Sequence, residues 1–265
     1  MSEPAPAPKL RLGGMALRNG LLVHGPTHWA ASVRLPDGSL RTASGPKPRV
    51  QGVDRVPGVR GVARLAEAVV IIPLVKRALP EAQLPFQNAS VLGVAAGASV
   101  VGALARKRLA GAGGESIAAA ISVMPALFAL RGGELAAYHG AEHVSIGTYE
   151  HGEKRAKEHE RCGTHLIGPL LAASAAGNIL ASRTPARLRR PARVASSLGA
   201  VGAAVEVFAW MTRHPGHPLA KALARPGHEL QHRIATAEPS PEQLEVAEAA
   251  LAACLKLEDG NRATN

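Results

Sequence analysis

The sequence predicts a mainly α protein: a multi-spanning membrane helical bundle carrying a small N-terminal antiparallel β subdomain. Three observations lead there. Four segments of about 15 to 19 residues hold, apart from His165 at the start of one, a single ionisable side chain between them, and a span needs ~20 residues. Basic clusters stand at the ends of these segments, where lipid-headgroup anchors and topology signals belong. Aromatic residues are only 3% of a chain that is 46% hydrophobic, so any core is built from Ala, Leu, Val and Gly, a composition suited to helices packed closely in lipid.

Along the chain, residues 1–9 are Pro- and Ala-rich and predicted to be a disordered tail. Residues 10–61 form the expected β subdomain. Asn19-Gly20 reads as a tight turn, His24-Gly25-Pro26-Thr27 as a second break and Pro36-Asp37-Gly38-Ser39 as a third, with strand-like runs such as 29–35 between them. Residues 62–236 form the membrane helical region. Within it, 62–79 carries Arg64, Glu67, Lys76 and Arg77 with Pro73 inside, which suits an interfacial or kinked helix. The four cleaner segments are 88–105, 116–130, 164–182 and 194–212; the second is short for a span. A His/Glu/Cys-rich loop, 131–165, separates the second from the third. At 237–258 a C-terminal amphipathic helix is expected: Ser240-Pro241-Glu242-Gln243 has a capping hydroxyl, a proline at the first helical position and Gln three residues after the Ser. Leu244, Ala247, Leu251, Cys254 and Leu255 then recur on one face.

Charge and cysteine usage narrow the setting. The 265 residues carry a formal net charge of +11. Arg106, Lys107 and Arg108 follow one apolar segment, and Arg183, Arg187, Arg189, Arg190 and Arg193 fill the gap between two others. Anionic lipid headgroups of a bilayer are therefore the expected partner of these Arg clusters. No nucleic acid is expected, because no aromatic side chain interleaves the Arg runs as a stacking platform. Cys162 and Cys254 stand in dissimilar settings, which favours reduced thiols over a disulfide. The start MSEPAPAPKL lacks an apolar signal core, so insertion is expected to use internal segments, giving a multi-pass membrane protein. No G-x-S-x-G setting and no phosphate-cradling Gly-rich loop with a Lys is present, which disfavours serine-nucleophile and nucleotide chemistry.

Chemistry concentrates in the loop region. Five of the 11 histidines fall between His139 and His165. His139-Gly140-Ala141-Glu142-His143 is an H-x-x-E-H string. On a helix, residues four apart lie one turn above each other, so two imidazoles converge on one divalent cation. Glu142 sits beside that face and suits a general base. Glu150 returns to the same face seven residues on, but ~10 Å along the axis, too far to share an ion with both histidines unless the helix breaks near Gly147. A third ligand is better sought in His159-Glu160-Arg161-Cys162-Gly163-Thr164-His165, with His159 or Cys162 completing the set; such donors suit zinc first. Glu206, the lone carboxylate within 194–212, is expected to face the bundle interior, a metal, an Arg or a polar cavity. The later histidines His214, His217, His228 and His232 read as interfacial and non-ligating.

Several strings together resemble the YqhQ-like family of uncharacterised bacterial membrane proteins. They are Gly13-Gly14-Met15-Ala16 through His24-Gly25-Pro26, Arg60-Gly61-Val62, Tyr138-His139-Gly140-Ala141-Glu142-His143, Tyr149-Glu150, Arg161-Cys162-Gly163-Thr164, and Glu238-Pro239 with Gln243, Glu245, Val246 and Ala247. The resemblance covers about 12–251. It implies a multi-spanning membrane protein described as a predicted metal-dependent enzyme, with His139, Glu142, His143, Glu150, His159, Cys162 and Glu206 at positions matching the family pattern. His165 does not match, since a small hydroxyl residue is usual there. Asn19 stands where a Glu is expected and Val144 where a Lys is expected, so the resemblance gives no ground for a role of the N-terminal hairpin or of a cation beside the site.

The resulting expectation is a metal-dependent membrane enzyme carrying out metal-assisted hydrolysis, with zinc on His139, His143 and His159 or Cys162, Glu142 as base, and Glu150 or Glu206 as a supporting or alternative ligand. A membrane scaffold or assembly factor with a structural metal, or a small transporter using Glu206 and the histidines as an ion path, is the alternative.

Overall fold

The computed structural model describes residues 9–50, 52, 59–109 and 112–264; the expected tail lies, apart from residue 9, outside the described residues. Four strands open the chain: β1 Gly13–Leu17, β2 Gly20–His24, β3 His28–Arg34 and β4 Leu40–Pro46. They form an antiparallel meander in the order β1-β2-β3-β4, so β1 and β4 are its edges. The second and third breaks fall where the sequence places them; Gly38 takes φ +84° at the β3–β4 turn. The first differs by one residue. Leu17 pairs with Gly20, so Arg18 and Asn19 make the turn and Gly20 already belongs to β2. Gly20 is needed for approach, not for a left-handed turn: a Cβ there would stand 2.1 Å from the Ser32 carbonyl oxygen on β3.

Strand alternation gives the sheet two apolar faces, and both are covered. Leu22, Ala31 and Val33 pack against Ile71, Val75 and Leu79, the first two of which lie on α1 Val59–Ala78. Each such fully buried aliphatic side chain contributes about 1.5–3 kcal/mol. This explains the charged helix at 62–79: its apolar stripe serves the sheet. On the other face Leu21, Val23 and Ala30 meet Ala247, Ala250, Leu251 and Cys254 of α9, with Ala141 and Ile146 of α5 beside them; α5 is Gly133–His151 and α9 is Pro241–Thr264. The α9 start is held as its sequence implies, by Ser240 Oγ accepting from the Gln243 N–H at 3.3 Å and Gln243 Oε1 accepting from the Ser240 N–H at 2.9 Å.

The remaining helices are α2 Ala89–Arg108, α3 Ala112–Ser122, α4 Met124–Leu130, α6 Ile167–Ser182, α7 Arg189–Arg213 and α8 Pro218–Leu230. Among the described residues, three stretches are long and apolar enough to cross a membrane: Ala89–Arg108, Gly163–Ser182 and Ala186–Arg213. Large apolar side chains on them, including Leu92, Val100, Leu180, Val194 and Leu198, face outward, as lipid contact requires and water contact penalises. The segment Ser116–Leu130 passes the same test only together with Gly133–His151, and the two are bent by 90°. Gly132 and Gly133, at φ +67° and +69°, make this corner. The expected loop 131–165 is thus half helix. Because Leu135 to His143 are buried against the sheet and α9, α5 is enclosed by protein, and by itself it is not among the three candidate spans.

One consequence positions the site. The α6 span begins directly after Cys162 and runs to the Arg183–Arg193 stretch, and α7 returns. Sixteen residues of helix rise about 24 Å. Arg106 shares a polar pocket with Ser174, Asn178 and Ser197, so the two Arg clusters lie at one end of the bundle and the His-rich elements, with the sheet, at the other.

Candidate metal centre

His139, Glu142 and His143 are all buried on α5. The imidazole ring centroids of His139 and His143 are 4.4 Å apart, as a one-turn spacing dictates. Each ring is fixed by its Nδ1, which donates to a main-chain carbonyl: His139 to Ala235 at 2.8 Å and His143 to Lys157 at 2.5 Å. Both therefore turn Nε2 into the same space, the tautomer a metal ligand needs. Cys162 completes the group, with Sγ 3.4 Å from His139 Nε2. The three donor atoms lie within 4.8 Å of one another. Bonds of about 2.0–2.3 Å to a tetrahedral ion imply donor separations of roughly 3.5 Å, so the set needs only a small contraction.

Two further features fit a cation. His143 Nε2 is buried without a hydrogen-bond partner, which costs about 1–3 kcal/mol unless its lone pair is engaged. Burial also drives Cys162, Glu142 and His143 toward their neutral forms. It pushes the Cys162 thiol up to about 11 and the Glu142 carboxyl up to about 7. It also lowers His143, with the neighbouring His139 adding to the effect. A divalent ion reverses this preference, since it stabilises a thiolate and a carboxylate and competes for neutral imidazole.

These groups face a cavity of about 370 Å³, within the range of small-ligand sites. Glu142, His143, Cys162 and Arg161 line it together with Leu12 to Ala16 of the β1 region, Ala126, Ala129 and Leu130 at the end of α4, and Ile146. The N-terminal hairpin, to which the resemblance lent no role, is a wall of the site. Gly14 lies directly against Glu142: a Cβ there would come within 2.6 Å of Oε1. Gly140, in the middle of the H-x-x-E-H string, admits the segment after α8, since a Cβ would stand 2.0 Å from the Ala237 carbonyl oxygen. That same segment brings the Ala235 carbonyl to His139.

The other expected residues are near but differently engaged. His159 has its ring centroid 5.6 Å from that of His143, yet its Nε2 is 3.3 Å from Glu150 Oε2 and its Nδ1 accepts from the Arg161 N–H. Glu150 also pairs with Arg161. This His159–Glu150–Arg161 cluster braces the loop leading to Cys162. Glu206 is on α7, where Arg60 Nε donates to it at 2.8 Å, one of the partners the sequence allows for it. His165 is buried beside Gln231, 3.3 Å from its Nε2, and Cys254 lies in the sheet–α9 core.

Gln231 was not singled out by the sequence. It is fully buried; its Oε1 accepts from the His159 N–H at 2.7 Å and its Nε2 donates to the His159 carbonyl and to Thr164 Oγ1. It therefore clamps both sides of Cys162. Gln231→Leu is expected to lower metal affinity about 10–100-fold, as loss of a supporting hydrogen bond does, read by competition against a chromogenic chelator.

Residues 121–257 match a family model described as "Protein of unknown function (DUF1385)". Neither the curated proteins nor the solved structures give a match.

Proposed function

The chain belongs to the DUF1385 family, and for this member we propose a metal-dependent hydrolase seated at the surface of the bacterial inner membrane. The observation that carries the reading is the convergence of three donors of metal-binding type, within 4.8 Å, on a cavity that Glu142 also faces. Within the family we assign the chain to the YqhQ-like members, on the residues quoted above.

His139, His143 and Cys162 would hold the ion, zinc first because two imidazoles and a thiolate are its usual donors. A bound divalent cation supplies Lewis acidity toward a carbonyl or phosphoryl oxygen and toward water. Glu142 acts as general base: buried against Gly14, it can take a proton from water and hand it to the leaving group. His159 and Glu150 position the Cys162 loop. Three protein donors leave a coordination position open, which favours catalysis over a closed structural site. The transport alternative asks Glu206 to serve an ion path, whereas its carboxylate is held by Arg60. The Arg clusters contact anionic headgroups at the far membrane surface.

The test is turnover by detergent-purified, zinc-loaded protein on a panel of fluorogenic esters, amides and phosphodiesters. Activity is expected on at least one, lost with 1,10-phenanthroline and restored by added zinc. A stoichiometrically loaded protein inert toward the whole panel, or activity indifferent to chelation, contradicts the proposal.

A further inference from the structure

The cavity wall contains an unpaired strand edge, and this bears on the substrate of the hydrolase reading, on which the inference rests. The sheet order makes β1 an edge. In antiparallel sheets neighbouring residues send their N–H and C=O alternately to one side and the other. On β2 the outward direction is fixed by flanking bonds: the Gly25 N–H donates to the His28 carbonyl, and the Arg34 N–H to the Asn19 carbonyl. Leu21 and Val23 therefore bond toward β3, and Gly20, Leu22 and His24 toward β1. Their partners are Leu17, Met15 and Gly13. The two residues between, Gly14 and Ala16, send their main-chain groups away from the sheet. Among the described residues nothing bonds to those groups, and the cavity adjoins them. Further along, the Arg18 N–H is taken by the Gln83 carbonyl at 2.9 Å, so the edge is closed at that end and open beside the metal donors.

The geometry points to an extended polypeptide as the substrate, added as a strand to β1 through Gly14 and Ala16. An added strand would satisfy two donors and two acceptors at once, whereas a lipid tail would leave all four without partners. Alternate side chains of the strand face opposite ways; one set meets the apolar wall from Ala126, Ala129 and Leu130. The polypeptide is therefore one with apolar residues at alternate positions, met beside the candidate span that starts at Gly163. The reaction is addition of water across its amide: the C–N bond breaks, the hydroxyl goes to the acyl carbon, and the proton passes through Glu142 to the leaving nitrogen.

The probe is a positional-scanning mixture of fluorescein-labelled decapeptides with Leu, Val or Ala at alternate positions, beside the same peptides N-methylated at alternate amides. Binding to full-length, zinc-loaded Glu142→Gln protein in detergent is followed by fluorescence anisotropy. Saturable binding is expected, weakened at least tenfold by N-methylation, since only the strand-pairing groups are changed. Ala16→Pro, which removes one outward N–H without touching a bond to β2, is expected to weaken binding several-fold at unchanged metal content. Equal binding of methylated and unmethylated peptides overturns the inference. So does absence of peptide binding by the zinc-holding Glu142→Gln variant where the zinc-loaded wild type hydrolyses dioleoyl phospholipid in mixed micelles, a result that leaves the hydrolase reading standing. Failure of the wild type to hold zinc removes both.

Discussion

Replacing His139 and His143 together with alanine is expected to reduce the metal content of the purified protein from one ion per chain to background. Two of the three donors would be gone, and a lone thiol whose pKa is pushed up to about 11 by burial is a poor ligand at neutral pH. The fold should survive, because neither ring belongs to the apolar clusters that bind the sheet to α1, α5 and α9, although the main-chain carbonyls of Ala235 and Lys157 lose their donors. Elemental analysis beside circular dichroism separates the outcomes. Equal metal in wild type and variant, both folded, shows that these rings do not bind it.

Glu142→Gln is expected to do the opposite: keep the metal and lose turnover by about 10²–10⁴-fold, the usual contribution of a positioned general base. The amide is nearly isosteric, so the contact with Gly14, where a Cβ would lie 2.6 Å from Oε1, is preserved. It cannot accept and return a proton. With kcat reduced and metal content unchanged, Glu142 moves protons; with metal lost as well, it belongs to the ligand set.

How far these features are legible in the sequence depends on distance along the chain. The pairing of His139 with His143 is local helix geometry and can be read from a four-residue spacing. The strand breaks follow from turn chemistry and the α9 start from its capping box. Cys162 stands out because its histidine-rich neighbours do. What the sequence does not display are approaches between remote segments. Gly14 touches Glu142, Gly140 touches Ala237 and Gln231 clamps the His159 main chain; each contact joins segments some 70 to 130 residues apart, and nothing periodic marks a glycine whose missing Cβ makes room. The helix within 131–165 has bounds that are harder to read: from Leu135 to His143 α5 is buried on all sides, polar residues included, so it lacks the one-sided apolar pattern that identifies a surface helix. Likewise the charged helix at 62–79 takes its purpose from a sheet face that no local window can see.

X-ray absorption at the zinc edge of the loaded, detergent-solubilised protein addresses the centre itself. The expected spectrum has one sulfur at about 2.3 Å and two imidazole nitrogens at about 2.0–2.1 Å, with the remaining scatterer a light atom, and it loses the sulfur shell in Cys162→Ser. A shell of oxygens alone, without sulfur or imidazole scattering, would mean that His139, His143 and Cys162 do not hold the ion.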